Sequence, residues 1–334
     1  MSIPLISVIL PFYNAEPTLD RAINSIIQQD FPHWELILVD NNSTDKSSAI
    51  ANLYAQHDSR IRVIQEKQQG VAFAFNTGLT RTRGKYIARM DADDYCYPQR
   101  LHQQMTYLDN HPDADAVSGL VLYKAEVPQE GMRHYVEWTN TLLSSRQMAD
   151  SRFIELTTIN PTLMFRRQSL VKYGSYQEGN FPEDYELVLR WLSQGATISK
   201  VNSIVLDWHD SLRRLTRTDS RYSTDAFYQV KSRYLALWLR QNNPFHPAVV
   251  IWGGGRKTRQ RAKRLEAYGI EIKAFIDILP TKVRDQPCIY YQEIAPPGQY
   301  FILSYVGNRG KREEIKQFLV NKGYRKTIHF LLIA

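Results

Sequence analysis

The sequence is poor in cysteine and contains no long apolar segment. Its two cysteines, Cys96 and Cys288, lie far apart and in no metal-ligand spacing, which argues against a disulfide or a zinc site and predicts buried or unreactive thiols. No run of about 18 apolar residues occurs. The first residues lead directly into a strand-like segment without the layout of a signal peptide. We therefore expect a cytoplasmic protein without a membrane span.

Positive charge is concentrated towards one end of the chain. The 334 residues include 42 Lys and Arg and 34 Asp and Glu, for a net charge of +8. Residues 241–334 hold 16 of these bases and 7 of these acids, which leaves 26 and 27 for residues 1–240. The C-terminal third therefore has either a solvated basic face or an anionic partner, such as a membrane surface, a polyanionic glycan or nucleic acid.

Three carboxylates crowd into four consecutive residues. Residues 91–94, here called the acidic turn, place Asp91, Asp93 and Asp94 directly after an apolar run, residues 86–90, that we predict to be a strand. Like charges this close repel, and a bound divalent cation relieves the repulsion. Oxygen ligands suit Mg²⁺ or Mn²⁺, which often bind nucleotide phosphates as well. The alternative is a polar turn or a helix N-cap.

Apolar runs and helical periods alternate before the acidic turn. Predicted strands cover residues 6–11, 34–40, 61–65 and 86–90, and predicted helices cover residues 18–29, 46–56 and 70–79. This alternation predicts an α/β fold with a doubly wound, mainly parallel sheet. Ligands of such sheets bind at the carboxyl ends of the strands, where we expect Pro11, Tyr13, Asp40 and the acidic turn to meet.

Four segments of this region resemble family 2 glycosyltransferases of the GT-A fold, namely residues 7–14, 35–45, 70–79 and 84–94. Their order and spacing match over roughly the first 240 residues. The resemblance implies an inverting, metal-dependent hexosyltransferase that moves a sugar from a nucleoside-diphosphate sugar, expected to be a UDP-sugar, to an acceptor hydroxyl.

The resemblance also assigns roles to residues. Asp40 would accept a hydrogen bond from the base, Asp91 would lie near the ribose or the donor sugar, and Asp93 would hold the Mn²⁺ or Mg²⁺. The full donor-binding set that it implies is Pro11, Tyr13, Glu16, Asp40, Asn42, Lys67, Asp91, Ala92, Asp93, Arg214 and Arg217. For Lys67 the alternative is a solvated side chain, and for Asn76, a further candidate neighbour of the nucleotide, it is a role in fixing the helix end.

Two acids, Glu183 and Asp184, open a predicted helix over residues 183–190, which follows a predicted strand over residues 160–166. The helix dipole alone favours acids there, which is the alternative to a catalytic role. By the resemblance, Asp184 is the base that takes the proton from the acceptor hydroxyl, and Glu183 orients the loop or the acceptor. A one-step displacement needs no covalent nucleophile, and the sequence has no Ser/His/Asp or Cys/His signature.

Residues 207–222 are too polar for a core element, and we predict a loop that closes over the diphosphate. Of its four arginines, Arg214 and Arg217 are the predicted phosphate ligands. His209 either completes the metal shell or is an ordinary packing residue. Residues 123–150 are expected to contribute loops to the acceptor pocket.

The chain is predicted to divide into a domain over residues 1–240 and a smaller, basic domain over residues 244–334. The smaller domain follows a predicted helix over residues 226–239, and it has a strand, a turn with Gly253 and Gly255, a helix over 257–268 and a strand over 270–276. Asp277 stands where a ribose-binding acid belongs, but Thr258 occupies the third glycine position of the dinucleotide fingerprint. We therefore expect a truncated Rossmann-like module with a structural or docking role. A helix over 311–320 and a strand over 327–333 complete this prediction.

Six of the nine residues 256–264 are basic. They surround the predicted helix without interleaved aromatic side chains, so nucleic acid is disfavoured, and peripheral contact with the inner face of the membrane is left open. The leading hypothesis is a glycosyltransferase that acts on a glycan or lipid-linked acceptor in cell-surface polysaccharide or glycan biosynthesis. The alternative is a catalytically inactive docking protein. A nucleotidyltransferase is disfavoured because no glycine-rich basic loop follows the first strand.

Overall fold

The computed structural model describes residues 4–211, 214–279, 286–308 and 310–334. They form two compact units: Met1–Ala149 with Thr157–Arg221, and Asp150–Leu156 with Tyr222–Ala334. These units divide near residue 221, whereas the predicted domains divide at residues 240–244. That the predicted domains are separate folding units stays a prediction. Within the described ranges, no helix is both long enough and apolar enough to cross a membrane.

The first unit is built on one mixed sheet. Among the described residues its strands are β1 (Ile6–Phe12), β2 (Trp34–Asp40), β3 (Ile61–Gln65), β4 (Tyr86–Arg89), β5 (Tyr95–Cys96), β6 (Ala116–Ala125), β7 (Met164–Arg166) and β8 (Ile198–Asp210). The described helices up to residue 221 are α1 (Leu19–Ile27), α2 (Ser47–His57), α3 (Val71–Leu79), α4 (Arg100–Asn110), α5 (Glu130–Asn140), α6 (Ser145–Ser151), α7 (Arg167–Tyr173), α8 (Glu183–Ser193) and α9 (Leu215–Thr218). The strand order is β3-β2-β1-β4-β7-β6-β8-β5. The first four strands are parallel, β6 is parallel to β8, and β7 and β5 run antiparallel to their neighbours.

Burial explains the central strands. Every residue of β1 and β2 is buried, as continuous runs of Ile, Val and Leu require when helices cover both faces of a parallel sheet. The register pairs Phe12 with Asp40, and β4 lies beside β1 in the same direction. The carboxyl ends of β1, β2 and β4 therefore share one edge, and the predicted α/β, mainly parallel sheet is confirmed.

Three local predictions were wrong. Residues 160–166 begin with the 3-10 turn Asn160–Thr162, and only Met164–Arg166 is a strand. Residues 207–210 are not loop but the end of β8, where the buried Trp208 alternates with more polar neighbours, since only every second residue of a strand faces the core. Residues 123–150 form mostly helices α5 and α6.

The second unit contains a smaller, fully parallel sheet. Its described strands are β9 (Ala248–Trp252), β10 (Glu271–Asp277), β11 (Cys288–Tyr290), β12 (Ile302–Ser304) and β13 (Phe330–Leu332). Its described α-helices are α10 (Thr224–Asn242), α11 (Arg256–Lys263) and α12 (Lys311–Asn321). In the order β11-β10-β9-β12-β13, strands β10 and β11 are added on one side of β9 and strands β12 and β13 on the other side. This change of side is typical of Rossmann-like sheets. The predicted helix over residues 257–268 is α11 followed by the 3-10 turn Arg264–Tyr268.

Candidate active site

The loops that follow β1 and β2 are hydrogen-bonded to each other. The side-chain carbonyl of Asn14 accepts a hydrogen bond from the Thr44 amide at 2.8 Å, and Asn14 adopts a left-handed φ of 48° that Asn tolerates. The Glu16 carboxylate accepts from the Lys46 amide at 3.2 Å, and the Glu16 amide donates to the Asp45 carboxylate at 3.0 Å. Glu16, predicted to flank the nucleotide, thus holds this rim of the site together.

The ends of β1 and β2 bring three predicted donor-binding residues to one edge. Pro11 is buried inside β1, and two residues later the Tyr13 side chain is 53% exposed. Asp40 ends β2 almost fully buried, and one of its carboxylate oxygens accepts from the Ser43 amide at 2.9 Å. A buried acid and an exposed aromatic ring at the same sheet edge can offer a planar heterocycle both a hydrogen-bond acceptor and a stacking surface.

The side chain of Asn42 contacts the main chain of Lys67. The Asn42 side-chain amide donates to the Lys67 carbonyl at 2.5 Å, and Asn42 has a φ of 65°. The Lys67 side chain is exposed. The neighbouring Asn41 is buried, and it accepts from the Gly70 amide at 2.8 Å and donates to the carbonyls of Glu66 and Gln68. Asn41, which sequence reasoning left without a role, therefore shapes this loop.

The acidic turn concentrates negative charge. Burial raises the pKa of Asp93, and Asp91 adds to this effect although Arg214 opposes it. Asp94 is fully buried, and burial together with Asp93 raises its pKa well above the usual range. One Asp94 oxygen accepts from the His209 amide at 2.8 Å, while the other is buried and has no hydrogen-bond partner among the described residues. Ala92 is half-buried between these acids.

A buried arginine sits behind the acidic turn. Arg89, at the end of β4, donates to the Asp91 carboxylate at 3.0 Å, and its guanidinium lies 5.0 Å from the centre of the Tyr176 ring. Burial alone would lower the pKa of Arg89, but Asp91, Tyr176 and Glu183 together raise it well above its ordinary value. Sequence reasoning assigned Arg89 no role, although an arginine inside an apolar strand was a visible signal.

The acids that open α8 belong to the same cluster. Glu183 is buried at the first residue of the helix. Burial raises the pKa of Asp184 to about 7, and the charges of Glu183 and Asp91 add to this effect while Arg89 opposes it. The electrostatic coupling puts Asp184 near the acidic turn, from which it is remote in sequence. A carboxylate with a pKa near neutrality can accept a proton at physiological pH.

The predicted phosphate ligands are held by protein groups. Arg217 donates to the buried carboxylate of Asp210 at 2.7 Å. Arg214 donates to the His209 carbonyl at 2.8 Å and stacks 4.1 Å from the Trp208 ring centre. Its influence on the pKa values of Asp93 and Asp94 puts it close to the acidic turn. Arg213, in the same predicted loop, lies outside the described residues.

His209 and Arg21 border the acidic turn from two other elements. Burial lowers the pKa of His209, and the charge of Arg21 adds to this effect. The Arg21 guanidinium donates to the main-chain carbonyl of Asp93. Within the described part of the chain, no group of three or more His, Cys, Asp or Glu side chains is placed to hold a metal ion.

Buried polar side chains support these groups from below. Arg100 donates to the Arg89 carbonyl at 2.7 Å, and the Tyr176 hydroxyl donates to the Asn160 side chain at 2.6 Å. Asn76 donates to the Tyr176 carbonyl at 2.9 Å. Asn76 thus anchors a segment remote in sequence, in addition to standing near the end of its own helix.

Comparison with known proteins identifies the family. The sequence model described as Glycosyl transferase family 2 matches residues 7–174. The chain is 35% identical over 197 residues to EpsE of Bacillus subtilis (strain 168), and this match covers 58% of this chain and 68% of EpsE. It is 28% identical over 205 residues to the amylovoran biosynthesis glycosyltransferase AmsE of Erwinia amylovora, and this match covers 60% of this chain and 75% of AmsE.

Solved structures agree on the fold. The chain superimposes on S. aureus TarS 1-349 in complex with UDP-GlcNAc with a TM-score of 0.55 and 21% identity, over 79% of this chain and 71% of that one. It superimposes on the mannosyltransferase PcManGT from Pyrobaculum calidifontis, in complex with GDP-Man and Mn²⁺, with a TM-score of 0.50 and 18% identity, over 71% and 64% of the two chains. Because the family match spans half of the chain and agrees with its fold, the chain belongs to glycosyl transferase family 2, with a GT-A type sheet.

Proposed function

We propose that this chain is an inverting glycosyltransferase that moves a sugar from a nucleoside-diphosphate sugar to an acceptor hydroxyl. The proposal rests on the family match over residues 7–174 and on the buried Arg89, which donates to Asp91 of the acidic turn at 3.0 Å and interacts electrostatically with Glu183 at the start of α8. One carboxylate near neutrality beside a cation-attracting cluster suits a reaction that takes a proton from one partner and stabilises negative charge on the other.

The proposed donor is a UDP-sugar, and the proposed product belongs to a cell-surface polysaccharide or another glycan. TarS, which shares the fold, is known in complex with UDP-GlcNAc, and AmsE is an amylovoran biosynthesis glycosyltransferase. The acceptor would be a glycan or a lipid-linked saccharide, and the reaction would take place on the cytoplasmic side of the membrane.

The proposed nucleotide site lies at the rim of β1 and β2. The Asp40 carboxylate would accept a hydrogen bond from the base, and the exposed Tyr13 ring would lie against it, with Pro11 and Glu16 shaping the rim. Asn42 and Lys67 would border the base from the opposite loop. Ala92 and Asp91 would approach the ribose or the donor sugar.

The donor atoms of the acidic turn fit a hard divalent cation, Mn²⁺ or Mg²⁺. One buried oxygen of Asp94 has no hydrogen-bond partner in the described part of the chain, and the pKa of Asp93 is raised by burial and by Asp91, as expected where acids lie close together without a bound cation. We propose Asp93 as the principal ligand and His209 as an additional one. Such a cation would offset the charge that develops on the departing diphosphate. Arg214 and Arg217 would contact the phosphates after exchanging their present protein partners.

Asp184 would act as the base. It would take the proton of the acceptor hydroxyl while the oxygen attacks the anomeric carbon from the face opposite the diphosphate, which inverts the configuration. Glu183, whose charge helps to raise the pKa of Arg89, would orient the acceptor or the loop. This division of labour assigns the two neighbouring acids different tasks.

A calorimetric titration tests the donor site. The protein and its Asp93→Ala variant are titrated with UDP, GDP and dTDP, each with and without Mn²⁺. We expect metal-dependent binding of UDP by the native protein and its loss in the variant. Nucleotide binding that is unaffected by Mn²⁺ and by the Asp93→Ala substitution would contradict the metal assignment. No binding of any nucleotide would favour an inactive docking protein instead.

A further inference from the structure

A basic cleft lies in the second unit, between α10 and the segment formed by α11 and the turn after it. Its volume is about 540 Å³, within the range of pockets that hold small ligands. Its lining residues are Thr224, Asp225, Tyr228, Lys257, Gln260, Arg261 and Arg264. We call this feature the basic cleft.

The cations of the basic cleft exceed its single acid. Arg264 forms an ion pair with Asp225, which leaves two positive charges without a counter-charge in the lining. Three further bases of the same segment, Arg256, Arg259 and Lys263, add to the positive potential. An anionic group is therefore the complementary occupant.

The floor of the basic cleft is preorganised. Tyr228 is buried, and the Arg261 guanidinium lies 4.4 Å from its ring centre and donates to its hydroxyl at 3.3 Å. From the interior, the buried Lys231 lies 4.4 Å from the same ring and donates to the carbonyls of Ile154 and Ile333. Arg261 is thus held in one orientation, which reduces the entropy lost when it binds an anion.

Exposed apolar side chains lie at the sheet edge from which α11 begins. Ile278 and Leu279 are 62% and 50% exposed directly after β10. The carboxylate of Asp277 accepts from the Gly254 amide at 2.6 Å, which ties the end of β10 to the glycine turn before α11. Exposed aliphatic groups beside a dense set of lysines and arginines are typical of proteins that bind the interface of an anionic bilayer.

We propose that the basic cleft binds the phosphate of an anionic lipid headgroup and docks the second unit on a membrane surface. No aromatic side chain occurs among residues 256–264, so the stacking platform of a single-strand nucleic acid site is missing from this segment. The proposal names the residues behind the peripheral membrane contact that the charge of the C-terminal third suggests. It does not depend on the chemistry of sugar transfer in the first unit.

Vesicle co-sedimentation of the full chain tests the proposal. The protein is mixed with vesicles of phosphatidylcholine alone or of phosphatidylcholine with phosphatidylglycerol, at low and at physiological ionic strength. We expect binding only to the anionic vesicles, weakened by salt. The double variant Lys257→Gln, Arg261→Gln should bind roughly 20- to 30-fold more weakly, since each cation near an anionic surface contributes about fivefold.

A matched control separates the basic cleft from net charge. The double variant Lys316→Gln, Lys322→Gln removes the same charge from α12 and its C-cap residue and should retain nearly all vesicle binding. Equal losses in the two double variants, or no preference of the native protein for anionic vesicles, would overturn the proposal. Because Arg261 contacts Tyr228, the single variant Lys257→Gln, at an exposed position, is tested as well and should weaken binding about fivefold.

Two further measurements distinguish other outcomes. If inorganic phosphate at millimolar concentration and constant ionic strength abolishes vesicle binding by the native protein, free phosphate is the ligand of the basic cleft and the proposed lipid docking is wrong. UDP binding is followed in every variant. Retained UDP binding with lost vesicle binding supports the proposal, whereas failure of UDP binding in the native protein counts against the proposed function alone.

Discussion

Protonation of Asp184 should control the rate of sugar transfer. Burial and the charges of Glu183 and Asp91 raise its pKa to about 7, and a base must be ionised to accept the hydroxyl proton. Below its pKa the carboxyl binds a proton, so kcat/KM should fall with decreasing pH and level off above pH 8. From one unit below the pKa to one unit above it, the ionised fraction rises about tenfold, and kcat/KM should rise by the same factor.

Arg89 should set the position of this pH dependence. Its positive charge lowers the pKa of Asp184, so Arg89→Met should move the acidic limb to higher pH, whereas Arg89→Lys, which keeps the charge, should move it less. Asp184→Asn should lower kcat by roughly 10²- to 10⁴-fold and remove the limb, while UDP affinity changes little.

The assay is transfer of radiolabelled sugar to an acceptor, with kcat/KM measured over a pH series at constant ionic strength and constant metal concentration. UDP affinity is measured at each pH, so that a change in donor binding is not mistaken for a change in the base. A flat profile in the native protein, or an unchanged profile in Asp184→Asn, would refute the assignment of Asp184 as the base.

Two predictions concern stability, each measured by urea denaturation. A Cβ on Gly84 would lie 2.6 Å from a main-chain nitrogen of β1, so Gly84→Ala should cost about 1–3 kcal/mol, whereas Gly131→Ala in α5, with open space around it, should be neutral or stabilising. Similar costs for both would contradict the packing argument. Lys231→Met should cost about 1–3 kcal/mol, because it leaves the carbonyls of Ile154 and Ile333 without their donor. Burial lowers the pKa of Lys231 to about 7 from an ordinary 10.5, so the unfolded chain binds more protons between these values, and the contribution of Lys231 to stability should rise with pH there. If the stability of the native protein and that of Lys231→Met changed equally with pH, this prediction would be contradicted.

Elements with local signals were predicted well. The apolar runs of β1 and β2 and the helical periods of α1 and α2 are visible in sequence because a doubly covered parallel strand must be apolar at nearly every position. The end of β8 was misassigned because its polar side chains, Asp207, His209 and Asp210, conceal the inward-facing Trp208. A strand pattern interrupted by charge is weak evidence in either direction.

The sequence by itself determined the family, the α/β alternation and the composition of the acidic turn, because each is a property of neighbouring residues. Only the tertiary structure decided that Arg89 lies among Asp91, Glu183 and Tyr176, and that the pKa of Asp184 is raised to about 7. By sequence alone, Asp184 is an ordinary acid at a helix N-terminus. Its protonation depends on burial and on charges that are remote along the chain, and folding alone brings these charges close to Asp184.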